Sequence, residues 1–251
     1  MSRVGFIGTG HIAAPIARFL HSKGHQITVS ERNADTAADL QGKIGAKIEA
    51  NQGVIDNSDI VFLCLRPTVA EQAIKDLTFR ADQRIISVMA GVPEAKLREL
   101  CAPASQFVQT IPLGFLEQGG CPLAAYGNDA LLAELFEPEN PVVKVGSETS
   151  LNAHFAICAF VPGVLDLMHT ASSWLADQTG DVKSAEFFTS QLLGGFLEVM
   201  DKDAVGFLQR ERDALATDGT LSLQMTTGLK EGGTDAVLLK TLTAIGERLS
   251  K

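Results

Sequence analysis

Short apolar runs alternate with amphipathic stretches over the first 146 residues of this 251-residue chain. The apolar runs predict seven β-strands: Arg3–Ile7, Gln26–Ser30, Ile60–Leu65, Arg84–Met89, Phe107–Ile111, Leu123–Tyr126 and Val142–Val145. Between the early strands, helical periodicity covers His11–Ser22, Ala34–Leu40 and Val69–Leu77. This alternation of strands and helices predicts a mostly parallel, doubly wound sheet with helices on both faces.

Beyond Gly146 the pattern changes, and no further β-type run appears. Five helical stretches follow: Leu151–Ala176, Val182–Met200, Ala204–Ala216, Leu221–Lys230 and Asp235–Leu249. We therefore predict an α/β domain over residues 1–147 and an all-α domain over residues 148–251. By analogy with other proteins that follow such a sheet with helices, the second domain is expected to serve dimerisation and substrate binding.

A glycine-rich loop lies directly after the first predicted strand and opens the first predicted helix. Its pattern, Gly8-x-Gly10-x-x-Ala13, is the dinucleotide fingerprint of a Rossmann-type domain. Gly8 permits the tight turn, Gly10 lets the backbone approach a pyrophosphate, and Ala13 allows close packing of helix on strand. The predicted pyrophosphate site consists of Gly8, Thr9, Gly10, His11 and Ile12.

The end of the second strand carries the signal for cofactor choice. An acidic residue there favours NAD by binding the ribose 2′-hydroxyl, whereas an arginine favours NADP by pairing with the 2′-phosphate. The chain has both, in Ser30-Glu31-Arg32-Asn33. If the Glu31 side chain turns outward, Ser30, Arg32 and Asn33 form a polar nest for phosphate. NADP is the preferred interpretation, with NAD as the alternative.

Charge and cysteine content limit which partners, metal sites and cellular compartment are expected. The net charge of −9 comes without a Lys/Arg cluster, which argues against nucleic acid as a partner. The four cysteines form no CxxC pair and no cluster with histidine, so we expect reduced thiols, no metal site and a cytoplasmic protein. The weakly charged stretch Ser150–Leu165 is too short and polar for a membrane span and is predicted to be a buried helix.

Three segments resemble pyrroline-5-carboxylate reductases: GFIGTGHIAAPIARFL, VFLCLRPTVAEQAIKDL and IISVMAGVPEAKL. Weaker similarity continues through VQTIPLGFLEQGGCPLAAYGND and TDGTLSLQMTTGLKEGG. The resemblance implies an NAD(P)H-dependent reductase of a small cyclic imine or carbonyl compound, as in proline biosynthesis, and a homodimer or higher homo-oligomer. It also implies further cofactor contacts at Leu65, Arg66, Pro67, Ala90 and Gly91.

Two substrate-side stretches depart from the family pattern. Where the family has Met-Pro-Asn-Thr-Pro, this chain reads Ile111-Pro112-Leu113-Gly114-Phe115. Where the family has Ser-Pro-Gly-Gly-Thr-Thr, it reads Thr217-Asp218-Gly219-Thr220-Leu221-Ser222. Apolar residues cannot replace the lost hydrogen-bonding groups, so the family's substrate does not transfer with the cofactor.

The candidate catalytic residues are Thr220, Ser222 and His169. The two hydroxyls could hold a carboxylate or relay a proton, although helix capping near Thr217 and Asp218 explains such residues equally well. His169 could donate a proton to an imine, and so could His154, but each histidine also suits a buried or interface position.

Two other functions stay open. A 3-hydroxyisobutyrate dehydrogenase-like enzyme, acting on 3-hydroxyacids or imines, shares the opening loop and the helical end. The 3-hydroxyacid dehydrogenases of that class rely on a catalytic lysine in the first long helix of the second domain. The corresponding predicted helix here, Leu151–Ala176, contains no lysine. The altered substrate motifs also fit a non-catalytic nicotinamide-binding sensor.

Overall fold

The computed structural model describes residues 1–250 and contains one eight-stranded sheet in the order β3-β2-β1-β4-β5-β6-β7-β8. The strands are β1 Arg3–Ile7, β2 Gln26–Ser30, β3 Lys47–Glu49, β4 Ile60–Leu63, β5 Arg84–Ser87, β6 Gln106–Thr110, β7 Leu123–Gly127 and β8 Val142–Lys144. Only the β6–β7 pair is antiparallel among these strands. The doubly wound sheet followed by helices confirms the predicted fold class.

Six helices accompany the sheet, and three of them match sequence predictions closely. They are α1 Ala13–Ser22, α2 Ala34–Ile44, α3 Asn51–Asp56, α4 Pro67–Ile74, α5 Glu94–Leu100 and α6 Asp129–Phe136. A 3-10 helix covers Gly114–Gln118. Helix α1 begins two residues later than predicted, because the backbone from Gly10 to Ile12 is still turning out of β1. Strand β3 was missed because it has three residues, of which only Ile48 is strongly apolar.

Two apolar clusters cover the faces of the sheet, which explains why its central strands are apolar throughout. All four residues of β4 are buried. On one face the rings of Phe6 and Phe62 stack with centroids 4.9 Å apart, and Phe136 meets Phe62 edge-on. On the other face Ile7 and Leu63 belong to a second cluster. These buried strands hold the loops at their carboxyl ends in place.

The remaining helices are α7 Glu148–Cys158, α8 Phe160–Thr179, α9 Val182–Val199, α10 Phe207–Leu215, α11 Leu221–Glu231 and α12 Thr234–Leu249. The contacts divide the chain into two compact units. The first comprises Met1–Phe155 with the residues from Arg248 onwards, and the second comprises Ala156–Glu247. The sequence predicted a domain boundary at residues 147–148, whereas the two units meet at residues 155–156.

The prediction of a buried helix at Ser150–Leu165 is wrong for the single chain. Helical structure extends over Glu148–Thr179, and only 11% of its most apolar 18-residue window is buried. By length and composition alone this stretch could cross a membrane, with a mean hydropathy of 1.5, so the argument from shortness also fails. The same properties are expected of a helix whose apolar face meets another protein chain.

Candidate functional site

A cavity of about 580 Å³ lies at the carboxyl ends of β1, β2 and β4. Strand β1 pairs with β2 on one side and β4 on the other, so the chain connections diverge here in opposite directions. Open α/β sheets bind ligands at such switch points. The cavity is lined by Gly8, Thr9, Gly10, His11, Ile12, Ala13, Arg32, Asn33, Ala34, Asp35, Cys64, Leu65, Arg66 and Val69.

The two glycines of the loop have different roles. Gly8 has φ +93°, and a Cβ there would lie 2.5 Å from the Cys64 carbonyl oxygen, so the fold itself requires glycine. A Cβ on Gly10 would meet no described atom within 4 Å, because it would project into open space at the cavity wall. That open space is what a pyrophosphate needs for close approach to the backbone. The loop therefore fits a dinucleotide.

The backbone amides of Gly10, His11 and Ile12 have no partner among the described residues. They lie just before α1, whose dipole favours negative charge at this end. Unpaired amides at a helix start form a ready anion site. The loop can therefore hold phosphate groups without any cationic side chain of its own.

Ser30 supports the glycine loop through hydrogen bonds and does not line the cavity. The prediction that Ser30 forms part of the phosphate nest is therefore wrong. The side chain is 1% exposed, and its hydroxyl accepts a hydrogen bond from Gly8 N at 3.0 Å. Thr9 donates its hydroxyl to the Ser30 carbonyl at 2.7 Å. These bonds tie the glycine loop to β2, and a buried hydroxyl with such partners cannot also reach a ligand.

The residues that follow β2 are arranged in the way expected for binding a phosphate group. Arg32 and Asn33 line the cavity, whereas Glu31 does not. The Asn33 side chain accepts a hydrogen bond from Thr36 N and so caps α2, which directs a second helix start toward the cavity. Asp35, in the first turn of α2, is a cavity residue that the sequence prediction missed, and its charge opposes that of Arg32.

The residues predicted from the family resemblance separate into two groups. Leu65 and Arg66 line the cavity, and Pro67 occupies the first turn of α4 directly beyond them. Ala90 and Gly91 follow β5 and do not line this cavity. Cavity residues that the sequence prediction missed are Ala34, Asp35, Cys64 and Val69. Burial raises the pKa of the Cys64 thiol.

The three predicted catalytic residues belong to the second unit. Thr220 caps α11, since its hydroxyl accepts from Leu223 N at 3.1 Å and lies 2.7 Å from the Thr217 carbonyl. The helix begins at Leu221, so Thr220 takes the capping role considered for Thr217 and Asp218. Ser222 is exposed on the first turn of α11, and His169 is exposed on α8. The structure does not bring these residues into one cluster.

The altered stretch after β6 offers few polar groups. Ile111 is buried, Leu113 is half-buried, and Phe115 is 47% exposed. The last residue of β6, Thr110, is 1% exposed, and its hydroxyl oxygen has no partner within the described chain. This stretch therefore presents mainly hydrocarbon at the carboxyl end of the strand.

Comparison with known proteins agrees with this architecture. A family model described as "NADP oxidoreductase coenzyme F420-dependent" matches residues 3–91. Pyrroline-5-carboxylate reductase 3 of Danio rerio is 25% identical over 267 residues, which cover 98% of this chain and 90% of that protein.

Two solved structures share the fold. Pyrroline carboxylate reductase of Plasmodium falciparum, with NADP bound, superposes with a TM-score of 0.84 at 14% identity, covering 99% of this chain and 97% of that one. A reductive aminase from Aspergillus terreus, in complex with NADPH4, cyclohexanone and allyl amine, gives a TM-score of 0.64 at 20% identity, covering 99% and 93%.

The glycine loop, the cavity at the switch point and these similarities define an NAD(P)-dependent oxidoreductase. Within that class the match along nearly the whole chain is to a protein named pyrroline-5-carboxylate reductase 3. The chain is similar to pyrroline-5-carboxylate reductases along nearly its whole length and differs from their pattern in its substrate-side motifs.

Proposed function

We propose that this protein is an NADPH-dependent reductase of a small cyclic imine that is more apolar than pyrroline-5-carboxylate. The observation that carries the proposal is the similarity to a pyrroline-5-carboxylate reductase along 98% of the chain. Neither the similarity nor the absence of a lysine from Leu151–Ala176 favours a 3-hydroxyisobutyrate dehydrogenase-like reaction.

NADP is the proposed cofactor, and its reduced form, NADPH, would supply the hydride and leave as NADP⁺. Gly10 and the free amides beside it would hold the pyrophosphate. Arg32, which forms no ion pair with another described residue, would hold the 2′-phosphate together with the start of α2. The exclusion of Glu31 from the cavity wall supports NADP over NAD.

The substrate preference rests on the groups that this chain has lost. The stretch Ile111–Phe115 replaces an amide and a hydroxyl of the family pattern by carbon, and Leu221 replaces another hydroxyl. The Thr220 hydroxyl is already engaged in capping α11. A site without polar partners rejects a charged group strongly, whereas an uncharged ring loses little there. We therefore expect weak reduction of pyrroline-5-carboxylate itself.

A homodimer is proposed from the composition of the second unit. Its only buried side chains among the described residues are Ala156, Ser172 and Ala185. Large apolar side chains on α8 and α9 are instead exposed, among them Leu165, Trp174, Phe187, Phe188, Leu192 and Leu197. A unit of this size needs a hydrophobic core to be stable. A second copy of the same helices supplies matching apolar surface of the kind found in obligate dimers.

A steady-state assay tests the proposed reaction. NADPH oxidation should be followed with 2-methyl-1-pyrroline and, in parallel, with pyrroline-5-carboxylate. We expect a higher kcat/KM for the uncarboxylated imine. A kcat/KM above about 10⁴ M⁻¹s⁻¹ for pyrroline-5-carboxylate, an ordinary value for an enzyme, would make the altered motifs neutral. NADPH binding without turnover of either imine would favour the sensor.

A further inference from the structure

The loop that follows β6 is tied to the helix that begins at the dinucleotide cavity. Arg18 of α1 donates its Nε to the Glu117 carboxylate at 2.8 Å, which holds the 3-10 helix of this loop against α1. Ala13, the first residue of α1, lines the cavity. Leu113 and the cavity residue Ile12 pack against the same apolar cluster. The loop therefore lies on the α1 side of the sheet and at its carboxyl edge, where α/β sheets bind their ligands.

Leu113 stands where the family pattern has an asparagine. It is the third residue of the altered stretch Ile111–Phe115, which replaces Met-Pro-Asn-Thr-Pro. Leu113 is half-buried, and its backbone is extended, with φ −107° and ψ 156°, directly before the 3-10 helix. Its carbonyl oxygen accepts from Leu116 N at 3.0 Å. Because the direction of a side chain follows from its backbone, whatever fixes the Leu113 backbone also places its hydrocarbon.

A buried thiol fixes the Leu113 backbone. Cys121 is 0% exposed, and its Sγ accepts a hydrogen bond from Leu113 N at 3.4 Å. No second acceptor for that amide is present within residues 1–250. The thiol also belongs to the apolar cluster that contains Phe6 and Phe62. Cysteine suits this position because it packs as a small apolar side chain while its sulfur still serves as a weak acceptor.

Asn140 joins Cys121 to the 3-10 helix. The Asn140 side chain is 0% exposed, and its Oδ1 accepts from Cys121 N at 2.9 Å. Its Nδ2 donates to the Leu116 carbonyl oxygen at 3.1 Å. Buried hydrogen bonds whose partners are all satisfied make a local structure rigid. Cys121 and Asn140 together therefore hold the loop at two points, Leu113 and Leu116.

We propose that Cys121 and Asn140 are positioning residues, which hold Leu113 as the apolar contact for the substrate ring and thereby favour an uncarboxylated imine. This role rests on the proposed function and deepens it, because it identifies what places the apolar group. Neither residue lines the dinucleotide cavity, so cofactor binding does not depend on them. A network that served stability alone would affect unfolding without changing the KM for one imine relative to the other.

The test is a double-mutant cycle in steady-state kinetics with NADPH. Cys121→Ala removes the acceptor of the Leu113 amide, so the KM for 2-methyl-1-pyrroline should rise about fivefold, with kcat and the Kd of NADPH nearly unchanged. The KM for pyrroline-5-carboxylate should change less. Leu113→Ala should have a similar effect, and adding Cys121→Ala to it should change little more, because both substitutions remove the same contact. Cys101→Ala removes another thiol that is 0% exposed, in the second apolar cluster, and should keep the wild-type KM.

Two further measurements examine the network itself. Asn140→Ala, which frees Cys121 N and the Leu116 carbonyl, should raise the same KM. Hydrogen exchange followed by NMR, which needs no turnover, should find the Leu113 amide exchanging faster in Cys121→Ala than in wild type or Cys101→Ala.

The positioning role is overturned by an unchanged KM in folded Cys121→Ala, by additive effects in the cycle, or by unchanged exchange of the Leu113 amide. A wild-type protein that reduces neither imine contradicts the proposed function, and the specificity role of Leu113 falls with it. Turnover by the wild type with the same KM in Cys121→Ala contradicts the positioning role alone.

Discussion

Gly10 and Gly8 are two residues of one motif with different physical requirements. Gly8 is needed by the fold, whereas Gly10 has open space where a side chain would stand. A valine at position 10 can therefore be accommodated by the folded chain, but it fills the volume that a pyrophosphate would use.

We predict that Gly10→Val abolishes NADPH binding and leaves the melting temperature nearly unchanged. Calorimetric titration measures the first quantity and thermal unfolding the second. Gly42→Val, on the exposed surface of α2 with equally open space around its Cβ, is the matched control and should bind normally. Unaltered affinity in folded Gly10→Val would mean that the glycine loop does not hold the cofactor.

Arg32 should decide the choice between the two nicotinamide cofactors. Loss of one hydrogen bond to a charged group costs about 1.5–3 kcal/mol. Arg32→Ala should therefore weaken NADPH by about 10- to 100-fold and leave NADH almost unaffected. Glu31→Ala, one residue away but outside the cavity wall, serves as the control. A wild-type preference for NADH would contradict the assignment and would indicate that Glu31 binds the ribose 2′-hydroxyl instead.

The hydrogen bonds of Ser30 tie strand β2 to the glycine loop. Ser30→Ala removes the acceptor of the Gly8 amide and a partner of the Thr9 hydroxyl. The Thr9 hydroxyl keeps its bond to the Ser30 carbonyl, so only the Gly8 amide is left unpaired. Leaving such a group unpaired costs about 1–3 kcal/mol, so the free energy of unfolding should fall by that amount. NADPH affinity should fall too, because the loop loses its support. Urea unfolding with and without NADPH measures both, and unchanged stability would show that the hydroxyl is dispensable.

How far the elements could be predicted depends on their length and burial. The long apolar run Ile60–Leu65 predicted the start of β4 because tertiary packing and local pattern agree there, but the strand ends two residues early, at Leu63. Strand β3 and helix α3 were missed because each is short and gives almost no periodic signal. The loop motif predicted the cavity, but Ser30 was misplaced. A sequence does not say which polar side chain after a strand is buried, because that depends on the neighbouring loop.

The second unit leaves large apolar side chains exposed in the single chain. Phe187 on α9 is 67% exposed and Trp174 on α8 is 65% exposed. We predict that the protein sediments as a dimer and that Phe187→Glu shifts it toward monomer, since a buried unpaired charge opposes association. Val143→Glu, on β8 of the first unit, places the same charge at another exposed apolar residue and should not. A monomeric wild type in sedimentation velocity contradicts this.

Transfer of hydride from the cofactor to an imine carbon tests the account most directly. The wild-type protein should be given NADPH carrying deuterium at both positions of nicotinamide C4, together with 2-methyl-1-pyrroline. Mass spectrometry of the product should then find 2-methylpyrrolidine with one deuterium, and Gly10→Val should yield none. Cofactor binding by the wild type without a deuterated amine would contradict the proposed reductase.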